Sequence, residues 1–295
     1  MLSIRLTEER FDMSAVHSAA RIAPPWRALL LGLALFAAGL LVGCATQGQR
    51  AAQTGSGESF SAADNATLKR VQLRLELAEG YYQRGQFTVA LDEVNKALAE
   101  KSDFVPAYTM RALIFSALND SAKAEANYKE ALRLSPDNAD ALHNYGWFLC
   151  QQRRYPESFS LFDKALALPN YRYPVRTYLA LGVCQYRAGD WAVAEQTLKK
   201  GFALDPGNPA LSTNLAVVLN RLGKPQDALF YIARVNSGQY ASAQSLWVGI
   251  LIARKAGNAI DAAQWTNQLE QRFPDSREAI AAQQGRFDDS SLLNQ

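Results

Sequence analysis

The stretch GVCQYRAGDWAVAEQTLKKGFALDP, residues 182–206, decides the fold. It carries a small residue in each of two helical segments, Gly182 in the first and Gly201 in the second. Helix axes approach closely only where side chains are small, so these positions predict two packed antiparallel helices. Gly189 lies between the segments, where glycine lets the chain turn, and Pro206 lies where the second helix must stop. The stretch therefore predicts a helix-turn-helix unit.

The same unit recurs along the chain. The central small residue of its second helix is found at Ala90, Ala124, Ser158, Ala194, Ala228 and Ala262. Successive differences are 34, 34, 36, 34 and 34 residues, with the longer step explained by an insertion between Asn170 and Pro174. A 34-residue period is that of the tetratricopeptide repeat (TPR), in which each repeat is a pair of helices, A and B. The sequence thus predicts an all-α fold, a right-handed TPR superhelix or α-α solenoid of six helix-turn-helix repeats.

The repeats define the domain organisation. We place them within 65–276, at 71–104, 105–138, 139–174, 175–208, 209–242 and 243–276. Ser276 is then expected to cap a short helix that covers the last apolar face, and 277–295 form this cap and a tail.

The N-terminal 43 residues have the features of an export signal. Arg27 precedes the uncharged run ALLLGLALFAAGLLVG, residues 28–43, and polar residues follow it at once. A bilayer-spanning helix needs about 20 apolar residues, which makes a membrane span the weaker alternative. Residues 1–43 are interpreted as a lipoprotein signal peptide, with either Met1 or Met13 as its start. Gly, Ser, Gln and Ala dominate 44–64, which predicts a tether.

The signal ends in Leu-Val-Gly-Cys, which resembles the lipobox of bacterial lipoproteins. That resemblance implies that Cys44 is lipidated and becomes the first residue of the mature chain. Ala45 follows, and by the family rule this favours the outer membrane, on its periplasmic side in a Gram-negative bacterium. The alternative is a chance cysteine beside an ordinary signal.

Composition argues against several functional classes. The chain has 31 basic and 28 acidic residues, a balance that does not suggest nucleic-acid binding. It has only two histidines, so imidazole-based catalysis or metal binding has little material. An enzyme using paired carboxylates is the remaining catalytic alternative, but no motif joins such residues to a pocket. We expect no enzymatic activity, no metal and no cofactor other than the covalent lipid on Cys44.

Two cysteines remain besides Cys44, and both are predicted on A helices. Because an exported chain meets an oxidising compartment, a disulfide between Cys150 and Cys184 is the favoured interpretation. The alternative is a pair of reduced, buried thiols that pack as small hydrophobic groups.

Stacked TPR units form a groove lined by A helices, where a partner can bind. The residues predicted on the free face of those helices are Leu75, Glu79, Tyr82, Leu113, His143, Trp147, Leu179, Val183 and Tyr186. This apolar and aromatic set suits an extended peptide or a partner helix, with Trp147 and Tyr82 as the anchors. The alternative for each is a place in the core between helices.

One segment resembles a known family and indicates a more specific function than partner binding. ALHNYGWFLCQQRRYPESFSLFDKALALPNYRYPVRTYLALGVC, residues 141–184, resembles the PilW/PilF pilotin family of type IV pilus biogenesis lipoproteins, most specifically in Asn-Tyr-Gly-x-Phe-Leu-Cys at 144–150. LWVGILIARKAGN at 246–258 and FPDS at 273–276 look like the closing repeat of that family.

The resemblance implies an outer-membrane pilotin. Such a protein binds the pilus secretin or another pilus-assembly protein, promotes secretin localisation and multimer assembly, and supports twitching motility; a monomer is expected. The alternative is a periplasmic TPR lipoprotein that serves as an adaptor for cell-wall enzymes.

Overall fold

The computed structural model describes residues 62–288, and these residues are helical without a β-strand. The helices are α1 (Ala62–Gln83), α2 (Phe87–Glu100), α3 (Val105–Ala117), α4 (Ser121–Leu134), α5 (Ala139–Gln151), α6 (Tyr155–Ala167), α7 (Pro174–Ala188), α8 (Trp191–Leu204), α9 (Pro209–Arg221), α10 (Pro225–Asn236), α11 (Ala243–Lys255), α12 (Ala259–Arg272) and α13 (Arg277–Gln283). The predicted all-α fold is confirmed. The predicted signal peptide, Cys44 and residues 289–295 lie outside the described residues.

The helices pack as six consecutive A/B pairs, α1 with α2 through α11 with α12. Each B helix also contacts the A helix that follows it, and each A helix contacts the next A helix. This is the stacking of a solenoid, in which a repeat buries its apolar surface against its neighbours. α13 packs on α11 and α12 and closes the C-terminal end, with the Ser276 side chain accepting a hydrogen bond from the Ala279 amide at 3.1 Å.

Small residues permit the close helix contacts. A Cβ atom on Gly182 would lie 2.5 Å from Cγ of Leu198, which is too short for any real contact. A Cβ on Gly201 would lie 2.9 Å from Cδ2 of Leu211 in the following repeat. Gly182 thus lets helix A meet helix B, and Gly201 lets the next repeat dock, as the sequence predicts.

The turn between helices A and B has one geometry in all six repeats. In each turn the residue immediately before the N-cap of helix B has a positive φ, between 60° and 96°. These residues are Gly85, Asn119, Arg153, Gly189, Gly223 and Gly257. The next residue donates a backbone hydrogen bond across the helix end, as Gln86 does to the Tyr81 carbonyl at 2.9 Å. This is a Schellman motif, which satisfies the carbonyls at a helix C-terminus. Glycine occupies four of these positions because it has no Cβ penalty there.

Candidate protein-binding groove

Five of the nine predicted groove residues remain partly accessible: Leu75, Glu79, Tyr82, Leu113 and Trp147. All five lie on the A helices of the first three repeats. Tyr82 packs against the Phe87 ring, with centroids 5.4 Å apart. Leu75, Tyr82 and Leu113 cover one edge of a core cluster that includes Met110. These side chains pack against the core on one side and leave part of their surface accessible to a partner.

Trp147 is the largest of these groups. Its indole lies on α5, packs against the core of the later repeats and carries the Arg187 guanidinium over its face at 5.1 Å. A guanidinium over a tryptophan face is attracted to the negative side of the ring. The indole is therefore held in one orientation, which reduces the entropy lost when a partner packs on it.

The other four predicted groove residues are buried, and their placement on the free face is corrected. His143, Leu179, Val183 and Tyr186 are only 5%, 8%, 7% and 6% exposed, respectively. The reason is that each A helix packs against the next, α5 against α7 and α7 against α9, so the flanks of these helices become interior. They match the alternative interpretation, a core between helices.

His143 illustrates this burial. Its Nδ1 lies 2.8 Å from the Thr177 hydroxyl, which in turn contacts the Tyr171 hydroxyl at 2.7 Å. Burial, with the nearby positive charge of Arg176, holds the pKa of His143 well below its usual range. The imidazole is therefore neutral and serves as a hydrogen-bonded core group.

A disulfide joins Cys150 on α5 to Cys184 on α7, with Cα atoms 5.9 Å apart. Both cysteines are buried. The Ser158 hydroxyl lies 3.4 Å from the Cys184 sulfur and donates to the Gly146 carbonyl at 2.7 Å. The bond therefore ties two neighbouring A helices together directly beside the Trp147 anchor.

Repeats two and three are also linked through charges. Glu125 on α4 accepts hydrogen bonds from Arg154 Nη1 at 2.7 Å and from the Tyr145 hydroxyl at 3.0 Å. The Arg154 guanidinium, helped by Lys129 and Tyr145, lowers the pKa of Glu125 to about 2. Glu125 is therefore ionised at neutral pH and holds α4 against the start of α6.

Two tetratricopeptide repeat models match the chain, one over residues 109–173 and the other over residues 185–246. The crystal structure of PilW, described as a widely conserved type IV pilus biogenesis factor, superposes with a TM-score of 0.66 and 32% sequence identity. The match covers 72% of this chain and 98% of PilW. The chain belongs to the PilW/PilF family of type IV pilus biogenesis TPR proteins.

Other members of the family agree with this assignment. Type IV pilus assembly protein PilF of Pseudomonas aeruginosa is 29% identical over 239 residues, which is 81% of this chain and 91% of PilF. A solved structure of P. aeruginosa PilF gives a TM-score of 0.64 at 26% identity and covers 75% of this chain and 99% of that one. The resemblance seen in the sequence is thus confirmed at the level of the family.

Sequence reasoning missed how this PilW/PilF-family chain covers its core at the C-terminal end. Phe287 stacks on Trp247, with centroids 5.7 Å apart and planes at 14°, and the Arg254 guanidinium lies 4.1 Å from the Phe287 ring. Trp247 is consequently fully buried. The sequence carries no periodic signal for this contact, because Phe287 lies beyond the last repeat.

Two further properties concern the described part of the chain. No helix between residues 62 and 288 is long and apolar enough to cross a bilayer. The same range holds no cluster of three His, Cys, Asp or Glu side chains arranged for a metal ion.

Proposed function

We propose that this chain is an outer-membrane lipoprotein and pilotin that binds the pilus secretin through its TPR groove. In this role it promotes localisation of the secretin to the outer membrane and assembly of the secretin multimer, and so supports type IV pilus formation and twitching motility. The observation that carries the proposal is the match to PilW over 98% of that chain. No covalent chemistry is required of the protein.

The groove supports a binding role. Leu75, Tyr82, Leu113 and Trp147 are apolar or aromatic side chains that keep accessible surface on adjacent A helices. Aromatic groups held by their surroundings are the side chains that most often dominate the energy of a protein interface. A row of them on neighbouring helices suits an extended segment or an amphipathic helix of a partner.

The proposed lipid on Cys44 accounts for transport of the protein to the outer membrane. If Cys44 is lipidated, the residues between it and the start of α1 at Ala62 form a tether, and a flexible segment of that length spans roughly 20–25 Å. A domain confined so near the membrane meets other membrane-bound partners at a raised effective concentration. Sorting of the lipoprotein would then deliver the bound secretin with it.

The proposal is tested by deleting the gene and probing outer-membrane fractions for heat-resistant secretin multimers. Loss of multimers, restored by the intact gene but not by Cys44→Ser, is the expected result. Trp147→Ala should restore multimers only in part, whereas Phe230→Ala, which removes an exposed ring from a B helix, serves as the matched control. Undiminished multimers in the deletion strain would refute the pilotin role, and copurified cell-wall hydrolases or synthases would favour the adaptor alternative.

A further inference from the structure

Three successive A helices end in a cation at the same register. Arg187, Arg221 and Lys255 are spaced 34 residues apart and lie in the last turn of α7, α9 and α11. We call these three residues the cation row. The equivalent positions of the first three repeats are neutral: Gln83, Ala117 and Gln151.

The row is held in place by contacts between repeats. Arg221 lies over the Trp191 ring at 4.5 Å, and Lys255 donates to the Asn220 carbonyl, at the end of α9, at 2.9 Å. Arg187 lies over Trp147, the predicted groove anchor. Each cation therefore contacts the preceding repeat, and the three charges lie in the last turns of successive A helices.

Two members of the row have no carboxylate partner within residues 62–288. Arg221 and Lys255 are exposed and belong to no ion pair there. Other lysines of the same repeats behave differently, since Lys199 and Lys224 both bind Glu195, at 2.6 and 2.8 Å. The positive charges of Arg221 and Lys255 thus remain available to a ligand.

Helix dipoles do not account for the row. A cation near a helix C-terminus is favourable, which explains why Arg and Lys are tolerated there. The A helices of repeats one to three end at the same register in neutral residues and are nevertheless formed. The dipole therefore permits cations at this register without requiring them, and their restriction to repeats four to six calls for another reason.

We propose that the cation row binds an extended acidic segment of the protein partner. Packed neighbouring helices lie about 8–10 Å apart, and an extended chain in the polyproline II conformation rises about 3.1 Å per residue with three residues per turn. Three residues of such a segment match the step from one A helix to the next and bring every third side chain to the same face, so carboxylates at every third position would meet successive cations. The inference rests on the proposed function in that it takes the partner to be a protein held in the groove.

The test uses the full chain purified in detergent and a fluorescein-labelled peptide of about twelve residues with aspartate at every third position, the rest Gly and Ser. A peptide of the same composition with its aspartates clustered at one end is the control ligand. Fluorescence polarisation at about 50 mM salt should show tighter binding of the spaced peptide, weakened at about 500 mM salt because ions screen exposed charges.

Charge reversal locates the binding surface. Arg221→Glu with Lys255→Glu should weaken binding of the spaced peptide by about 10-fold or more, because two attractions become repulsions. Lys200→Glu makes one such charge reversal at an exposed position on α8 and should change binding by less than about 2-fold. Unchanged far-UV circular dichroism shows that the variants are folded.

The inference is overturned if the spaced peptide does not bind, if the clustered peptide binds equally well, or if Lys200→Glu has the same effect as the double reversal. Secretin multimers in the strain carrying Arg221→Glu and Lys255→Glu separate this result from the proposed function. If secretin multimers depend on the protein but not on the cation row, and the peptide does not bind, the inference is wrong and the pilotin role stands. If the peptide binds but secretin multimers form without the protein, the pilotin role is wrong and binding of acidic segments by the row stands.

Discussion

Gly182→Ala is expected to destabilise the protein although alanine is the better helix former. Gly182 faces α8, where a new Cβ would lie 2.5 Å from Cγ and 2.7 Å from Cδ2 of Leu198. Leu198 is fully buried, so it has no solvent-filled space to move into. The backbones of α7 and α8 must therefore separate, and the disulfide between α5 and α7 limits how far α7 can shift.

The expected magnitude follows from two opposing effects. Replacing a helical glycine by alanine gains up to about 1 kcal/mol, whereas overpacking a filled core costs about 1–3 kcal/mol. A separation of 2.5 Å places this site at the upper end of that cost, giving a net loss of about 2 kcal/mol in the free energy of unfolding. Gly80→Ala is the matched control, because only the Arg84 guanidinium lies within 4.0 Å of its new Cβ. That change should stabilise the protein by about 0.5–1 kcal/mol.

Urea unfolding followed by circular dichroism measures both variants. Leu198→Ala alone should cost about 2–5 kcal/mol through the cavity that it leaves. Combined with Gly182→Ala, it should cost less than the sum of the two single changes, by about 1–3 kcal/mol, because the new methyl group occupies the vacated space. Stabilisation by Gly182→Ala like that of Gly80→Ala, or strict additivity in the double variant, would refute the close contact between α7 and α8.

Further predictions concern the disulfide, an ion pair and a turn. Replacing Cys150 and Cys184 by serine should lower the free energy of unfolding by about 3.8 kcal/mol in the chain-entropy model for a separation of 34 residues. The intact mass of the unsubstituted protein, measured without reductant, should be lower than that of the dithiol by two hydrogens. The pKa of Glu125 lies at about 2 in the folded chain against an ordinary 4.5, so its stabilisation is complete above pH 4.5 and is lost as pH falls towards 2. Glu125→Gln should flatten that part of the profile of unfolding midpoint against pH, and an unchanged slope would exclude this carboxylate as the cause. Arg153 has φ 61°, so Arg153→Gly should raise stability by about 0.5–1 kcal/mol whereas Arg153→Ala should not; equal effects in thermal unfolding would show that the turn is unstrained.

Much of the fold was predictable because it depends on local and periodic constraints. The 34-residue spacing identified the helix pairs, and small residues such as Gly182 and Gly201 marked where helices meet. The turns that contain glycine could also be predicted from the sequence. Asn119 and Arg153 perform the same turn without glycine, and they were missed because residue type signals a positive φ reliably only for glycine.

The groove was less predictable. A helical period places a residue on one face of its own helix, but exposure depends on the neighbouring helix. Trp147 stays accessible, whereas His143, one turn earlier on the same helix, is covered. The difference comes from the packing of α7 against α5. No feature of the local sequence around His143 predicts that this side chain is buried.

By itself, the sequence determined the repeat, the helix pairs and the positions of close contact, because each follows from side-chain size and period within one or two helices. It also predicts lipidation of Cys44, which lies outside the described residues and stays a prediction. Only the tertiary structure decided which A-helix faces are buried, that Phe287 covers Trp247, and that Arg187, Arg221 and Lys255 each contact the preceding repeat. These properties arise where separate repeats meet, and the angle at which helices stack is set by the packing of many side chains together.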